Sequence, residues 1–243
     1  MPILEGKGVT KYFGGLAAVS NVDFTVEQGE AFGLIGPNGA GKTTLFNLIS
    51  AALTPKSGTI HFKGENITGI KPYKICRKGV ARTFQTVKVF RDLPVLQNVV
   101  LGSYFGNTTK LSSTGVIKHA TEILEFVGLS AVAAMPAKDL TLANQKRLEV
   151  ARALATEPEL ILLDEIMAGL NQTEVAQAMD LVKRILDKGV TVIMIEHVMK
   201  AIMNVCERIM VLHHGAKIAE GTPREITSSE TVIKVYLGDK ARA

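Results

Sequence analysis

The sequence predicts an α/β fold: a mostly parallel sheet covered by helices, with an antiparallel β portion at its N-terminus and an α-helical insert in its middle. Three observations carry that expectation. In the second half, short apolar runs alternate with amphipathic stretches, the pattern of strands and covering helices in a parallel sheet. Residues 1–60 read mainly as strands and turns. Residues 86–149 hold helix-like segments and no strand repeat. A chain of 243 residues is ample for one large core carrying an insert.

Residues 22–26 alternate, with Val22, Phe24 and Val26 on one side and Asp23 and Thr25 on the other, the period of a half-buried strand. Glu27-Gln28-Gly29-Glu30 follows as a turn. Residues 31–35 (AFGLI) are continuously apolar, the look of a strand buried on both faces. A glycine-rich loop comes next, and residues 44–49 look helical. Ser57-Gly58 precedes a short strand over 59–63, ended by Gly64. In the middle, residues 116–127 read as a helix after a polar loop at 107–114. Residues 160–163 form a buried strand. Residues 173–188 form a helix with Val175, Met179, Val182 and Leu186 on one stripe. A strand over 190–195 and a helix over 198–206 follow. Strands at 209–212 and 217–219 flank a turn at Gly215. From Pro223 a C-terminal helix is expected, with a frayed tail ending in Lys240-Ala241-Arg242-Ala243. The core is expected to span 1–85 and 150–243, and the insert 86–149.

Hydrophobic residues make up 47% and charged residues 21% of the chain, a balance that excludes wholesale disorder, a collagen-like fibre and a disulfide mini-protein. Mean hydropathy is +0.21, yet no apolar run reaches the ~18 residues of a membrane span. The first fifteen residues lack a basic-then-apolar export signal. Cys76 and Cys206 suit a reducing compartment and are expected as buried or half-buried small hydrophobes. The net charge of +5 is unevenly placed. Lys71, Lys74, Arg77, Lys78, Arg82, Lys88 and Arg91 fall in residues 66–91 with no acid among them. Without those seven, acidic residues outnumber basic ones. Such a patch meets nucleic acid, a membrane surface, a phosphate ligand or an acidic partner, or is simply a solvated helix face.

Gly36-Pro37-Asn38-Gly39-Ala40-Gly41-Lys42-Thr43 fits G-x-x-x-x-G-K-S/T, after a predicted strand and before a predicted helix, the context in which that spacing cradles phosphate. Glycines let the backbone curl so that successive N–H groups point into one cavity. The helix N-terminus adds its positive end. Lys42 supplies a mobile charge for the β- and γ-phosphates of a nucleoside triphosphate. The Thr43 hydroxyl can ligate Mg²⁺, and Thr44 can add a phosphate contact. The strand at 160–163 ends in Asp164-Glu165, two carboxylates at the strand's carboxyl end, where ligands sit in such sheets. Adjacent strand residues point to opposite faces. Asp164 therefore suits Mg²⁺ through its waters, and Glu165 suits polarising a water for in-line attack on the γ-phosphate. The next buried strand ends in Glu196-His197, where an imidazole can contact the γ-phosphate and the attacking water.

Together these residues resemble the ATP-binding cassette (ABC) ATPases, P-loop NTPases that power transporters, over essentially the whole chain. The resemblance implies ATP and Mg²⁺ as ligands. It matches residues 36–43 to Walker A and 161–164 to Walker B, with Glu165 as the catalytic carboxylate. Gln85 takes the place of the glutamine that touches Mg²⁺ and links core to insert, and His197 that of the switch histidine. Ala168-Gly169-Leu170-Asn171 resembles the D-loop between paired subunits. Phe13, just before Gly14-Gly15, matches the aromatic that stacks on adenine, with Tyr12 as the alternative. The insert carries the signature segment. There Leu140-Thr141-Leu142-Ala143-Asn144 stands in place of L-S-G-G-Q, followed by a well-fitting QKRLEVARAL. Thr141 and Ala143 are the expected contacts to a γ-phosphate on the opposite subunit. Both glycines are missing, and Leu142 and Ala143 add side chains where glycine allows closest approach. Ile166 and Gln172 replace customary prolines.

A finer similarity, through FGGLAAVSNVDF, GVARTFQTVKVF, MAGLNQTE, IEHVMKAIMNVCERIMVLHHG and EGTP, is to the ATPases of branched-chain amino-acid importers. It implies two membrane permease subunits as partners and a dimer with a second ABC ATPase or with itself. A solute-binding protein is an indirect partner, and no nucleic acid is expected. The implied location is peripheral, at the cytoplasmic face of the inner or plasma membrane. Residues 86–100 would form the permease-facing groove, with Val87, Val89, Phe90, Leu93 and Val95 either groove or core. The rival readings are a soluble ABC ATPase and a regulatory ATP-binding cassette not coupled to transport.

Overall fold

The computed structural model describes residues 2–106 and 112–237. Most of the loop expected at 107–114, and the tail at 240–243, lie outside the described residues. The strands are β1 (Pro2–Phe13), β2 (Leu16–Glu27), β3 (Ala31–Ile35), β4 (Ser57–Phe62), β5 (Glu65–Asn66), β6 (Val80–Arg82), β7 (Leu160–Asp164), β8 (Thr191–Ile195), β9 (Arg208–His213) and β10 (Ala216–Gly221). The helices are α1 (Lys42–Ile49), α2 (Pro72–Arg77), α3 (Val95–Phe105), α4 (Ser113–Val127), α5 (Leu142–Leu154), α6 (Gln172–Asp187), α7 (Met199–Val205), α8 (Pro223–Ser228) and α9 (Glu230–Leu237). The chain divides into two compact units, residues 1–72 with 191–243, and residues 73–190. Among the described residues no helix is long and apolar enough to cross a membrane.

The first unit holds two sheet regions. One is antiparallel, in the order β2-β1-β4-β5. Its long hairpin closes at Phe13↔Leu16 around Gly14, whose φ of +57° suits a residue without a Cβ. In the other, β3 lies between β8 and β9 and runs parallel to both. β10 pairs antiparallel to β9 through the expected turn at Gly215. Every residue of β3 and β8 is buried, as a strand covered on both faces requires. Helix α1 adds Leu45, Phe46, Leu48 and Ile49 to this core. A staple at the far end of β9 holds the layers: Arg208 donates to both Glu30 carboxylate oxygens, at 2.8 and 2.9 Å, and to the Thr25 carbonyl at 2.7 Å.

In the second unit β6 and β7 pair in parallel, and α3, α4 and α5 pack on one another. Helix α4 begins at Ser112, whose hydroxyl accepts from the Gly115 N–H, and ends at Gly128 with φ +77°, signals that set both ends. Val116, Ala120, Leu124 and Val127 form its buried face. Helix α6 starts with a capping box between Asn171 and Glu174. Its buried face runs through Val175, Ala178, Leu181, Val182 and Ile185, while Met179 and Leu186 are half-buried flanks. The expected stripe is thus rotated by a fraction of a turn, because small Ala178 faces the core.

Candidate functional site

In the first unit, buried β3 delivers the chain into the loop at 36–41, and α1 opens directly behind it. Two of its glycines are dictated by close approach. Gly36 has φ +150°, and a Cβ there would come within 2.1 Å of the Leu212 carbonyl oxygen. Gly41 has φ +103°, and a Cβ would come within 2.2 Å of the Ala18 carbonyl oxygen. Pro37 accepts from the Ala40 N–H at 3.1 Å, and Ala40 accepts from the Gly215 N–H at 3.0 Å. The β9–β10 turn therefore braces the loop from behind. Asn38 and Gly39 stay exposed at its crest. Gly41 caps α1 without a side chain, so the first-turn amides that include Thr43 and Thr44 face no competing cap. The Lys42 ammonium curls back over the loop and donates to the carbonyls of Gly36 at 2.6 Å and Pro37 at 3.1 Å.

Two further expected residues belong to this unit. Phe13 ends β1 with its ring 49% exposed and the Lys11 ammonium 5.7 Å from the ring centre. Tyr12 beside it is exposed to a similar degree. His197 follows β8 at an exposed bend, next to buried Glu196.

In the second unit, β7 ends on Asp164, only 1% exposed. Arg82, at the end of β6, donates to Asp164 Oδ2 at 2.9 Å. The Thr83 hydroxyl accepts from the Asp164 N–H at 3.0 Å. Glu165 takes left-handed backbone at φ +53°, an unfavourable conformation for a residue with a Cβ, of the kind that collects at functional sites. Its carboxylate accepts from the Gln85 amide at 3.0 Å. Its carbonyl accepts from the Lys146 ammonium at 2.7 Å. The structure thus brings together Gln85 and Glu165, two of the expected site residues.

Helix α5 holds the segment around Gln85. Glu149 Oε1 accepts from the N–H groups of Phe84 at 3.3 Å and Lys88 at 3.1 Å. Arg152 donates to the Lys88 carbonyl, and its guanidinium lies 4.7 Å from the Phe90 ring centre. Burial pushes the Glu149 carboxyl above its ordinary range, and the two N–H bonds offset part of that rise. Burial likewise lowers the Arg152 guanidinium. Asn98, buried in α3, closes the next turn by bonding both the N–H and the carbonyl of Phe90. Of the residues left as groove or core, Val95 is core, Phe90 is 48% exposed, and Val87, Val89 and Leu93 are half-buried.

At the signature segment, the Thr141 hydroxyl caps α5 by accepting from the Asn144 N–H at 3.3 Å. Ala143 is buried, and its methyl side chain leaves only the backbone to hydrogen-bond a ligand. Leu142 is 46% exposed. Its Cδ2 lies 3.1 Å from where a Cβ on Gly169 would sit, so the leucine replacing a signature glycine leans on the D-loop of its own chain.

The site residues that sequence reasoning missed are Thr83, Lys146, Glu149, Arg152 and Arg82, the last of which it placed only as one cation of the patch at 66–91. Lys146, Glu149 and Arg152 lie in QKRLEVARAL, three polar residues spaced three apart on one helix; that spacing was the available signal.

Residues 19–168 match the family profile described as "ABC transporter". Residues 216–242 match a second, described as "Branched-chain amino acid ATP-binding cassette transporter". The chain is 39% identical to the high-affinity branched-chain amino acid transport ATP-binding protein BraF of Pseudomonas aeruginosa, over 98% of this chain and 98% of BraF. A crystal structure of the ADP conformation of an ATP-binding cassette of an ABC transporter superposes with a TM-score of 0.88 at 30% identity, covering 98% of this chain and all of that one. A dimeric post-hydrolysis structure of an ATP-binding cassette bound to ADP and phosphate gives 0.82 at 27% identity, covering 91% of this chain and 99% of that one.

Proposed function

The chain belongs to the ABC transporter family of ATP-binding proteins, and from that membership we propose that it is the ATP-hydrolysing subunit of an importer for branched-chain or related amino acids. The observation that carries the reading is 39% identity over 98% of both chains with a branched-chain amino acid transport ATP-binding protein.

The residue roles follow from the chemistry of each side chain. Phe13 offers an exposed ring for adenine. Residues 36–44 offer backbone amides, the Lys42 charge and two hydroxyls to the phosphates. The Lys42 ammonium leaves the Gly36 and Pro37 carbonyls for the β- and γ-phosphate oxygens, a stronger charge-assisted partner. Mg²⁺, when bound, neutralises phosphate charge. Thr43, Gln85 and, through water, Asp164 would hold it. That all-oxygen set suits a hard divalent ion, and Gln85 engages Glu165 through its amide nitrogen, which leaves its oxygen for the ion. Glu165 polarises the attacking water, and His197 contacts that water and the γ-phosphate. Gln85 reports this chemistry to the segment at 86–100, which α5 grips through Glu149 and Arg152.

In this reading the helical insert, residues 86–149, is a subdomain that meets two membrane permeases. Thr141 and the Ala143 backbone complete the ATP site of a second cassette, another ABC ATPase or a second copy. The subunit works peripherally on the cytoplasmic face of the membrane, and a solute-binding protein is reached only through the permeases.

A tagged pull-down from detergent-solubilised native membranes, read by mass spectrometry, tests the reading. Two multispanning permeases and a second cassette in stoichiometric amounts are expected. A soluble self-dimer alone, or ribosomes or DNA in the eluate, would overturn the transporter assignment and leave the ATPase chemistry.

A further inference from the structure

Lys146 carries its charge inside the second unit. It lies on α5 and is 7% exposed, and a buried ammonium is costly unless an acceptor meets it. An acceptor it meets is the main-chain carbonyl of Glu165, at 2.7 Å. A charged donor on a carbonyl makes a short, strong bond. The same carbonyl closes the turn after β7 by accepting from the Ala168 N–H at 3.3 Å.

That carbonyl is an effective place to hold Glu165. Its direction is set by the ψ torsion of Glu165, the one that follows a φ of +53°. Left-handed backbone on a residue with a Cβ persists only where its surroundings impose it. When the carbonyl is free to swing, the residue relaxes toward ordinary backbone. The Cα–Cβ bond turns with it and carries the carboxylate away. The carboxylate's own contact, the Gln85 amide at 3.0 Å, is steadied from the same helix. Glu149, one turn beyond Lys146 on α5, accepts from the N–H groups of Phe84 and Lys88, on either side of Gln85. Helix α5 thus holds the main chain around both members of the Gln85–Glu165 pair.

We propose that Lys146 is a positioning residue for hydrolysis: its ammonium fixes the Glu165 peptide and so aims the carboxylate at the attacking water. The proposal rests on the ATPase reading above, with Glu165 as the group that polarises water. In this role Lys146 acts through Glu165 and not on the nucleotide. Removing the ammonium therefore slows the chemical step and leaves nucleotide affinity alone.

Lys146→Met keeps an unbranched side chain and removes the charge, and Lys146→Arg restores a charged donor. Steady-state hydrolysis and calorimetric MgATP binding are measured on the full chain of each variant, alone and combined with Glu165→Gln. Lys146→Met should lower kcat about five- to thirtyfold, the scale of one hydrogen bond to a charged group. Kd and KM for MgATP should stay within about twofold, and Lys146→Arg should return kcat to within about threefold of wild type. In the Glu165→Gln background, adding Lys146→Met should change the residual rate by less than about twofold, because no carboxylate remains to be aimed. A wild-type kcat in Lys146→Met would overturn the proposal, as would an equal loss in both backgrounds. So would a loss of MgATP affinity that matches the loss of rate, or an arginine variant as slow as the methionine one. Should Lys146→Met fail to fold, Lys146→Gln, with a shorter neutral donor, is read by the same criteria. Wild-type turnover in Glu165→Gln alone would overturn the assignment of Glu165, and this proposal with it.

Discussion

Glu165 combines three features seldom found in one side chain: a strand-end position, left-handed backbone at φ +53°, and a carboxylate bonded to Gln85. Replacing it with glutamine keeps length and polarity, and the Lys146 contact to its carbonyl is untouched. What disappears is the charge that polarises water in the proposed role. Glu165→Gln should therefore lower the hydrolysis rate of the assembled complex by about a hundred- to thousandfold while MgATP still binds; phosphate release and a binding titration measure the two. Turnover near wild type would remove Glu165 from the chemistry. At this scale Lys42, Thr43, Asp164 and Glu165 are readable in sequence because each sits inside a short motif whose chemistry is local. Arg82 is not. It reads as one of seven cations in an acid-free stretch, yet its side chain is 7% exposed and paired with Asp164. A partner 82 positions away leaves no local trace.

Helix α5 shows the same contrast one level up. Its existence is evident from QKRLEVARAL, but its grip on residues 84–90 through Glu149 and Arg152 is a tertiary fact. Burial raises the Glu149 carboxyl above its ordinary value of 4.5, so the folded chain holds that proton more tightly than the unfolded chain does. The stability this contributes is complete below pH 4.5, and it is lost as pH rises through the raised value. Glutamine does not titrate, and its Oε1 still accepts from Phe84 and Lys88. The Tm of Glu149→Gln relative to wild type should rise as pH climbs through that window and level off above it. A difference that is flat or falling with pH in unfolding scans would show that burial does not govern this carboxyl. Other elements resisted sequence reading for geometric reasons. Strand β1 shifts register between Gly6 and Val9 and again near Lys11, which breaks the alternation that identifies a half-buried strand. The stripe of α6 is rotated because small Ala178 faces inward, and alanine carries little weight in an apolar pattern.

At the scale of the whole molecule, the fold class was legible because short apolar strands and their spacing survive local irregularity. The Arg208 bond to Glu30 was not, since it joins residues 178 positions apart. One feature of the sequence acts only between molecules. In the proposed pair, each phosphate loop faces the signature segment of the other cassette, so Leu142 meets a partner rather than its own chain's nucleotide. A leucine side chain there holds the two surfaces apart where glycine would let backbone approach phosphate. Leu142→Gly removes that obstacle and the contact with Gly169. The cost is one glycine in the first turn of α5, at most about 1 kcal/mol. In a Glu165→Gln background, where trapped ATP persists, the added Leu142→Gly change should shift the ATP-dependent dimer to several-fold lower protein concentration. Light scattering across a dilution series reads this directly. A dimer that weakens instead would mean that Leu142 supplies contact area to the partner, and that this cassette closes through its own apolar signature rather than in spite of it.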